Sequence, residues 1–269
     1  NYIIFCLPTP LKNHSTPDMS IIKSAFEKIK KYLRSDQTII LESTVYPGAT
    51  REIFYKYLAK KFDLGKNFFL CYSSERINPG QNYKKNYKFF LQNTPKVISG
   101  YNLASLKKIN FLYKKIFKSL HKTKSIEIAE MSKLVENSYR SVNIGLVNEL
   151  KMICHKLKID IHEVLAASKT KPFGFNAFYP GPGVGGHCIP IDPIFLNWVS
   201  SKNGIKAKFV NSARKMNLNV TKWVIKQIFD YAPNIKNKKK IKKILIVGIA
   251  YKPDVNDIRE SPSLKIFRE

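Results

Sequence analysis

The chain has 269 residues, 44% of them hydrophobic, and a formal net charge of +28 at pH 7. Because no apolar stretch approaches the roughly 20 residues of a transmembrane helix, we predict a soluble globular chain with room for two domains or one large one. The lysines are spread over every predicted helix and form no stripe interleaved with aromatic residues, so we expect no nucleic-acid partner. The positive charge would still attract small molecules that carry phosphate.

The four cysteines, Cys6, Cys71, Cys154 and Cys188, are widely spaced and form no C-x-x-C pair. They predict neither a metal site nor a disulfide framework, and they fit a reducing cytoplasm. The first residues contain neither an initiator Met nor a signal-peptide pattern, so we expect a cytoplasmic chain cut from something longer.

Short apolar runs alternate with amphipathic stretches through the first part of the chain, which is typical of a parallel α/β sheet. We predict strands and helices in alternation, the strands at 2–7, 38–42, 68–72 and 97–100 and the helices at 18–33, 50–62 and 103–119. In such sheets ligands collect at the carboxyl ends of the strands. Pro8-Thr9-Pro10, Ser43-Thr44 and Ser74-Glu75 lie at these predicted ends.

An unbroken 3-4-4 rhythm of apolar residues from Glu127 to Leu157 predicts one helix about 46 Å long. A helix of this length needs a second surface to cover it, which indicates a domain connector or a dimer interface. Lys133 and Asn137 would share the face opposite a stripe through Met131 and Val135, which we assign to the core. In a cleft, this ammonium and amide could hold an oxyanion or a water; a solvated helix face is the alternative.

Beyond this helix, Asp160 and Glu163 predict the capped start of another, and two more are predicted at 195–199 and 210–229. The lysine-rich run from 236 to 243 predicts a solvated linker. The apolar run from Ile244 to Ala250 predicts a strand that begins a second α/β unit. Because that unit stops one helix later, we expect a fragment at both ends.

The most informative stretch runs from Tyr179 to Pro193. Four glycines and two prolines in the seven residues before His187 exclude a helix or regular strand there and predict a shaped loop that approaches a ligand closely. The loop delivers Cys188, with the carboxyl group of Asp192 four residues on. A thiol in polar, partly open surroundings can be tuned towards the reactive thiolate. For the other three cysteines we predict small hydrophobic side chains in the core.

Two further side chains stand at predicted strand ends. Glu75 could serve as a general acid or base, or equally as a cap or ion-pair partner. The Thr44 hydroxyl could have a functional role at its strand end, or it could simply stabilise a turn. His187 could face a ligand, brace the loop or act as a base. No GxGxxG phosphate-binding turn follows a strand in this sequence.

Several segments together resemble the UDP-sugar 6-dehydrogenases, the family of UDP-glucose dehydrogenase. They occur in family order along the whole chain. The most specific are the glycine–cysteine loop and Arg259-Glu260-Ser261. The other matching segments are 6–11, 42–48, 73–80, 130–137 and 248–254. Within the family, Thr170 to Phe175 together with the cysteine loop is similar to enzymes that oxidise UDP-N-acetylglucosamine. UDP-N-acetylmannosamine and UDP-glucose are the alternative substrates.

The resemblance implies a four-electron oxidation of a sugar C6 alcohol to a carboxylate, with two NAD+ used in turn. Cys188 would trap the aldehyde as a thiohemiacetal, and its oxidation would give a thioester that water hydrolyses. Lys133 would stabilise the oxyanion, and Asn137 with Asp192 would hold the water or proton network. Glu75 would be the acid–base group of hydrolysis, and Thr44 would position the water.

The resemblance also implies binding residues. The cofactor would contact Pro8, Thr9, Ser43, Thr44 and Arg259, and the sugar nucleotide would contact Glu75, Lys133, Asn137, Gly185 and Lys252. The long helix would form a homodimer interface.

The implied domains are the remainder of an NAD-binding domain at 1–124, a central helical domain at 125–235, and the start of a UDP-binding domain at 236–269. Family members begin with a GxGxxG turn and carry most of a UDP-binding domain, neither of which this sequence contains. We therefore expect little dehydrogenase activity from the isolated chain. A catalytically incompetent fragment that only dimerises or binds is the alternative reading.

Overall fold

A computed structural model describes residues 1–77, 91–231 and 244–269, which fall into two units. The first unit comprises Asn1–Glu136 and Ile194–Ile205, and the second comprises Asn137–Pro193 and Lys206–Glu269. The predicted linker at 236–243 lies outside the described residues, as does the 78–80 part of one family segment.

The strands of the first unit form a sheet at its centre. Within the described ranges they are β1 (Tyr2–Phe5), β2 (Leu11–Lys12), β3 (Thr16–Pro17), β4 (Gln37–Leu41), β5 (Phe68–Ser73), β6 (Lys96–Gly100) and β7 (Leu120–Lys122). Five of them make one sheet in the order β1-β4-β5-β6-β7, and β2 pairs with β3 separately. The four predicted strands of this region are confirmed, whereas the short polar β7 carries no apolar signal.

Strand direction decides which loops meet at one edge of the sheet. β1, β4 and β5 are parallel, with Ile3 opposite Ile39 and Ile39 opposite Leu70. β6 runs antiparallel to β5, with Tyr72 opposite Ser99, so the prediction of a parallel sheet is wrong for this pair. The apolar pattern of a buried strand is the same in either direction and could not reveal it. The amino end of β6 therefore lies at the edge where β1, β4 and β5 end.

The helices of this unit cover the sheet. They are α1 (Ser20–Ile29), a π-helical turn (Arg51–Tyr55) that leads into α2 (Lys56–Lys61), and α3 (Leu103–Tyr113). Both α1 and α3 end before the predicted positions. The core joins Ile40 of β4, Cys71 of β5 and Ile98 of β6 to Ile109 of α3, which confirms Cys71 as a buried hydrophobic residue.

The long helix α4 is continuous from Ile126 to Leu157, as predicted. Its orientation is the reverse of the prediction, because Met131 and Val135 are exposed while Glu130 and Asn137 are buried. Apolar periodicity shows which residues share a face, but it does not show which face is covered.

Glu130 explains part of this reversal. Its carboxylate accepts hydrogen bonds from the Gly48 N–H at 2.6 Å, the Thr50 N–H at 2.9 Å and the Thr50 hydroxyl at 2.6 Å, all at the start of the helix that begins at Arg51. Burial raises the pKa of Glu130 to about 7, against the lowering effect of these donors. A polar side chain of α4 thus anchors another helix of the first unit.

The remaining helices are α5 (Ile161–Lys169), α6 (Cys188–Lys202), α7 (Lys208–Tyr231) and α8 (Pro262–Arg268). Asp160 caps α5 by accepting a hydrogen bond from the His162 N–H at 2.7 Å. In the described part of the chain, no helix has the length and apolar character needed to cross a membrane.

The predicted strand at 244–250 is not formed, and Leu245 and Val247 are 86% and 88% exposed. A strand exists only when a neighbour pairs with its backbone groups, and no described segment does so here.

Candidate functional site

The loops after β1 and β4 are tied together at the carboxyl edge of the sheet. The Ser43 hydroxyl donates to the Leu7 carbonyl at 2.6 Å and accepts from the Leu7 N–H at 2.9 Å. The Thr9 hydroxyl donates to the Thr44 carbonyl at 2.7 Å. Thr9 and Ser43 are therefore buried by bracing the loops, which leaves Pro8 exposed and Thr44 partly exposed at this edge.

This edge fits the predicted dinucleotide. In open α/β sheets, nucleotides bind outside the carboxyl ends of the strands, where loops approach the ligand closely. The neutral side chains of Pro8 and Thr44 line the edge, and the bonds of Ser43 and Thr9 fix its shape without a ligand. The exposed side chains at this edge could contact a cofactor.

Glu75 follows β5 at the same edge. Its Oε1 accepts hydrogen bonds from the N–H groups of Arg76 and Ile77, both at 2.7 Å, and its Oε2 lies 2.9 Å from the Lys96 Nζ. Burial raises the pKa of the Glu75 carboxyl, but Lys96 and the two backbone donors together bring it below its usual value. The group is therefore a carboxylate at neutral pH.

Helix α4 holds the Glu75 loop through two contacts. The Lys133 ammonium donates to the Glu75 carbonyl at 2.6 Å, and the Arg76 guanidinium pairs with Glu136. Glu75 and Lys133, predicted from separate motifs, are thus brought together within the first unit. Both side chains of this pair are partly exposed.

In the second unit, Cys188 is the first residue of α6, whereas the sequence predicted an irregular loop through Pro193. The first turn of a helix tolerates Pro190, since its missing N–H would lack an intrahelical partner there. Cys188 is exposed, and its position at a helix N-terminus favours the thiolate. Asp192 lies one turn on along the same face of α6.

Asn137 and Asp192 are in direct contact. The Asn137 Nδ2 donates to Asp192 Oδ2 at 2.5 Å, and the two residues are 5% and 3% exposed. The carboxyl group that follows Cys188 on α6 is therefore held by an amide from α4. This pair is buried, whereas Cys188 is not.

The segment from 251 to 262 packs against the glycine loop. A side chain at Gly185 would come within 2.6 Å of Tyr251 and 2.9 Å of the Glu260 carbonyl. Gly186 adopts φ +81°, and its N–H donates to the Arg259 carbonyl at 3.0 Å. Glycine is thus required by close backbone approach at these positions.

The same segment brings cationic groups near the thiol. Burial lowers the pKa of Lys252 and so does Arg140, while Cys188 acts in the opposite direction. The Arg259 side chain donates to Asp257 from Nε to Oδ1 at 2.9 Å and to Oδ2 at 3.0 Å, and from Nη2 to Oδ2 at 2.6 Å. These bonds raise the pKa of Arg259, and Cys188 adds to the rise. Positive charge of this kind favours a thiolate and attracts an anionic ligand.

Two buried asparagines brace the loop from beneath. The Asn148 Oδ1 accepts from the Gly181 N–H at 3.0 Å, and its amide donates to Asn217 Oδ1 at 3.1 Å. The Asn217 amide in turn donates to the Ser141 carbonyl at 2.9 Å. Thr221 adds a bond from its hydroxyl to the Pro182 carbonyl at 2.6 Å.

Sequence reasoning did not single out Lys96, Asn148 or Asn217. The available signals were a lysine opening an otherwise apolar strand, and asparagines at helix positions that the periodic pattern leaves polar. Cys6, predicted to be a core residue, is instead exposed, with its Sγ 3.6 Å from Glu42 Oε2. Cys154 is partly buried against the cluster of Val147, Ile161 and Leu165.

Two family models match the chain in succession. Residues 1–117 match the NAD binding domain of the UDP-glucose/GDP-mannose dehydrogenase family, and residues 127–219 match the central domain of the same family. The predicted cofactor, NAD, agrees with the description of the first domain. The predicted family is confirmed.

Relatives resemble the chain over its whole length. Protein CapL of Staphylococcus aureus is 37% identical, covering 100% of this chain and 62% of that protein. UDP-N-acetyl-D-glucosamine 6-dehydrogenase of Pseudomonas aeruginosa is 34% identical, covering 100% of this chain and 63% of that enzyme.

A solved structure supports the fold. UDP-D-ManNAc dehydrogenase from Pyrococcus horikoshii superposes with a TM-score of 0.88 at 29% identity, covering 100% of this chain and 62% of that one. The chain thus spans less than two thirds of the length of each of these proteins. With two successive family domains and a matching fold, it belongs to the UDP-glucose/GDP-mannose dehydrogenase family.

Proposed function

We propose that the protein acts as an NAD-dependent UDP-sugar 6-dehydrogenase that oxidises the C6 alcohol to a carboxylate. The observation that carries this proposal is Cys188, which is exposed in the first turn of α6 with Lys252 and Arg259 within electrostatic reach. UDP-N-acetylglucosamine is the proposed sugar nucleotide. The names of the Pseudomonas and Pyrococcus relatives differ in the sugar, so UDP-N-acetylmannosamine is the first alternative to test.

NAD+ would accept the hydride released from C6 in each of the two oxidations. The Cys188 thiolate would add to the C6 aldehyde and form a thiohemiacetal, whose oxidation gives a thioester. Water then adds to the thioester carbonyl, the C–S bond breaks, and the carboxylate and thiolate are released. A thiolate suits this chemistry because its adduct with the aldehyde can be oxidised to a thioester, and the thioester is readily hydrolysed.

The other residues supply charge and proton transfer. Glu75, ionised at neutral pH, would accept the proton of the attacking water, and Thr44 would orient that water. The Lys133 ammonium would stabilise oxyanions at C6. Asn137 and Asp192, already bonded to each other, would hold the proton network near the thiol. Pro8, Thr9, Ser43 and Arg259 are proposed to hold the cofactor, and Gly185 and Lys252 the sugar nucleotide.

We also propose that the protein is a homodimer in which a second copy covers α4. The apolar stripe of this helix is exposed along its full length, and it comprises Ile128, Met131, Val135, Tyr139, Leu146, Leu150, Ile153 and Leu157. Exposed apolar residues that recur along most of a 32-residue helix are typical of a protein interface. We likewise propose domain boundaries near residues 124 and 235.

The test uses the protein expressed from its complete reading frame. We expect NADH formation with a UDP-sugar at two NADH for each uronate, and we would compare UDP-N-acetylglucosamine, UDP-N-acetylmannosamine and UDP-glucose. Cys188→Ala should reduce uronate formation more than roughly a hundredfold, as removal of a nucleophile does. Cys154→Ala, which changes a partly buried cysteine of α4, should retain activity. A folded protein that binds NAD+ but oxidises none of these sugars would refute the proposal, and dimerisation without turnover would favour a binding module.

A further inference from the structure

Lys96 is a buried ammonium at the carboxyl edge of the sheet, and the proposed mechanism gives it no role. Its side chain is 3% exposed at the amino end of β6. The Nζ lies 3.3 Å from Glu42 Oε1 and 2.9 Å from Glu75 Oε2. One cation is therefore shared between two carboxyl groups, one from the end of β4 and one from the end of β5.

The setting of Lys96 makes this sharing necessary. A buried charge is costly unless it is paired and hydrogen-bonded. The aromatic rings of Tyr113 and Phe117 lie 5.8 and 5.4 Å from the Nζ, and the Tyr113 hydroxyl donates to Glu42. Glu42 is 14% exposed and Glu75 is 40% exposed, so the three groups run from the interior towards the surface.

Among the described residues, the contacts of Glu75 leave one acceptor direction open. A carboxylate offers about four lone-pair sites. Two on Oε1 are taken by backbone N–H groups, and one on Oε2 is taken by Lys96. The remaining site is on Oε2, and the partial exposure of the side chain makes it accessible.

The other charged groups near Glu75 in the described ranges have different partners. The Lys133 ammonium contacts the backbone carbonyl of Glu75, and Arg76 is turned to Glu136 and to the Pro95 carbonyl, 3.0 Å away. The Cys6 thiol contacts Glu42 Oε2. Lys96 is thus the cation in contact with the Glu75 carboxylate among the described residues.

We propose that Lys96 is a positioning residue that keeps Glu75 ionised and directs the open lone pair of Oε2 to the water that hydrolyses the thioester, with Glu42 balancing its charge. The inference rests on the proposed dehydrogenase function. In that step the water proton passes to Glu75 Oε2 while the water oxygen bonds to the C6 carbonyl carbon. Lys96 contacts neither the substrate nor the water; it acts through its bond to Glu75 Oε2.

The primary test is a titration that needs no turnover. In protein expressed from the complete reading frame with ¹³C-labelled glutamate, the Glu75 carboxyl signal is assigned by its loss in Glu75→Gln. Lys96→Met should raise the Glu75 titration midpoint by about one pH unit or more, because an opposite charge in contact is lost. Glu42→Gln should lower the Glu75 midpoint, because the Lys96 ammonium then interacts with only one carboxylate. Lys107→Met, an exposed lysine of α3, removes the same charge and should leave the midpoint unchanged.

Lys96→Met leaves Glu42 without its cation and could impair folding. The double variant Lys96→Met/Glu42→Gln removes both charges, and here we expect a smaller rise of the Glu75 midpoint. If neither Lys96→Met nor the double variant moves the midpoint relative to wild type, the inference is wrong.

A kinetic test adds the link to catalysis. Since Glu75 must be deprotonated to act as a base, the acid limb of the kcat profile should move to higher pH in Lys96→Met by the same amount as the titration. In Lys96→Arg, which keeps the positive charge, the acid limb of the kcat profile should stay at its wild-type pH. A shifted midpoint with an unshifted limb would overturn the assignment to hydrolysis. Wild-type protein that oxidises no UDP-sugar would instead refute the proposed function, whatever the titration shows.

Discussion

Two adjacent serines at the end of β5 show how differently neighbouring residues contribute. Ser73 and Ser74 are both fully buried. The Ser73 hydroxyl donates to the Val97 carbonyl at 2.8 Å, whereas the Ser74 hydroxyl has no partner among the described residues. An unpaired buried hydroxyl is destabilising compared with a methyl group of similar size.

We predict opposite effects for two matched substitutions. Ser73→Ala should lower the free energy of unfolding by about 1 kcal/mol, because it removes a made hydrogen bond and leaves the Val97 carbonyl unpaired. Ser74→Ala should leave it unchanged or raise it by up to about 1 kcal/mol. Urea denaturation of both variants beside wild type measures the difference. Equal losses would mean that the Ser74 hydroxyl is bonded in solution.

At the level of elements, the glycine loop owes its shape to the helices beneath it. Asn148 of α4 binds the Gly181 N–H, and Asn217 of α7 links Asn148 to the Ser141 carbonyl. α4 and α7 approach closely where a side chain at Gly145 would lie 3.0 Å from the Ala213 carbonyl. The position of Cys188 at the end of this loop therefore depends on polar residues of two helices.

Asn217→Ala should loosen the loop. The change leaves the Asn148 amide without its Asn217 partner in a buried site and removes a side-chain bond to the Ser141 carbonyl, so we expect a loss of about 1–3 kcal/mol in stability. Amide hydrogen exchange at 181–186 should accelerate, and the alkylation rate of Cys188 should change with it. Asn219→Ala, at an exposed position of the same helix, serves as the control. Unaltered exchange in the loop would show that the asparagines only stabilise the helices.

On the scale of the whole molecule, α4 carries apolar residues on its exposed face as well as on its buried one. Its buried residues include the polar Glu130 and Asn148 as well as the apolar Leu134 and Val147, while the stripe defined above is exposed. Covering such a stripe with another surface is favourable in water, because it removes apolar area from solvent. This is the physical basis of the proposed homodimer.

Leu146→Lys should therefore weaken self-association without unfolding the chain. Leu146 is 51% exposed in the single chain, so the new ammonium is costly only when a second copy covers it. We expect sedimentation velocity to show a dimer for wild type and a shift towards monomer for the variant. Leu103→Lys, at a leucine of α3 that is 67% exposed, should remain dimeric. A monomeric wild type at micromolar concentration would contradict the proposal.

Local patterns were sufficient to predict four strands of the sheet, the extent of α4 and the Asp160 cap, because apolar periodicity and capping depend on residues close in the chain. The motifs of Glu75, Lys133, Asn137, Cys188 and Asp192 were also recognisable, since they are contiguous runs.

Contacts between residues that are distant in the chain could not be predicted from local patterns. The antiparallel direction of β6, the meeting of Lys96 with Glu42 and Glu75, and the exposure of the α4 stripe all depend on which segments pack together. The apolar run at 244–250 fits a strand pattern, yet it forms none without a neighbour. The pattern of side chains determines which structures a segment can form. Tertiary packing decides whether a neighbouring segment is present to complete one of them.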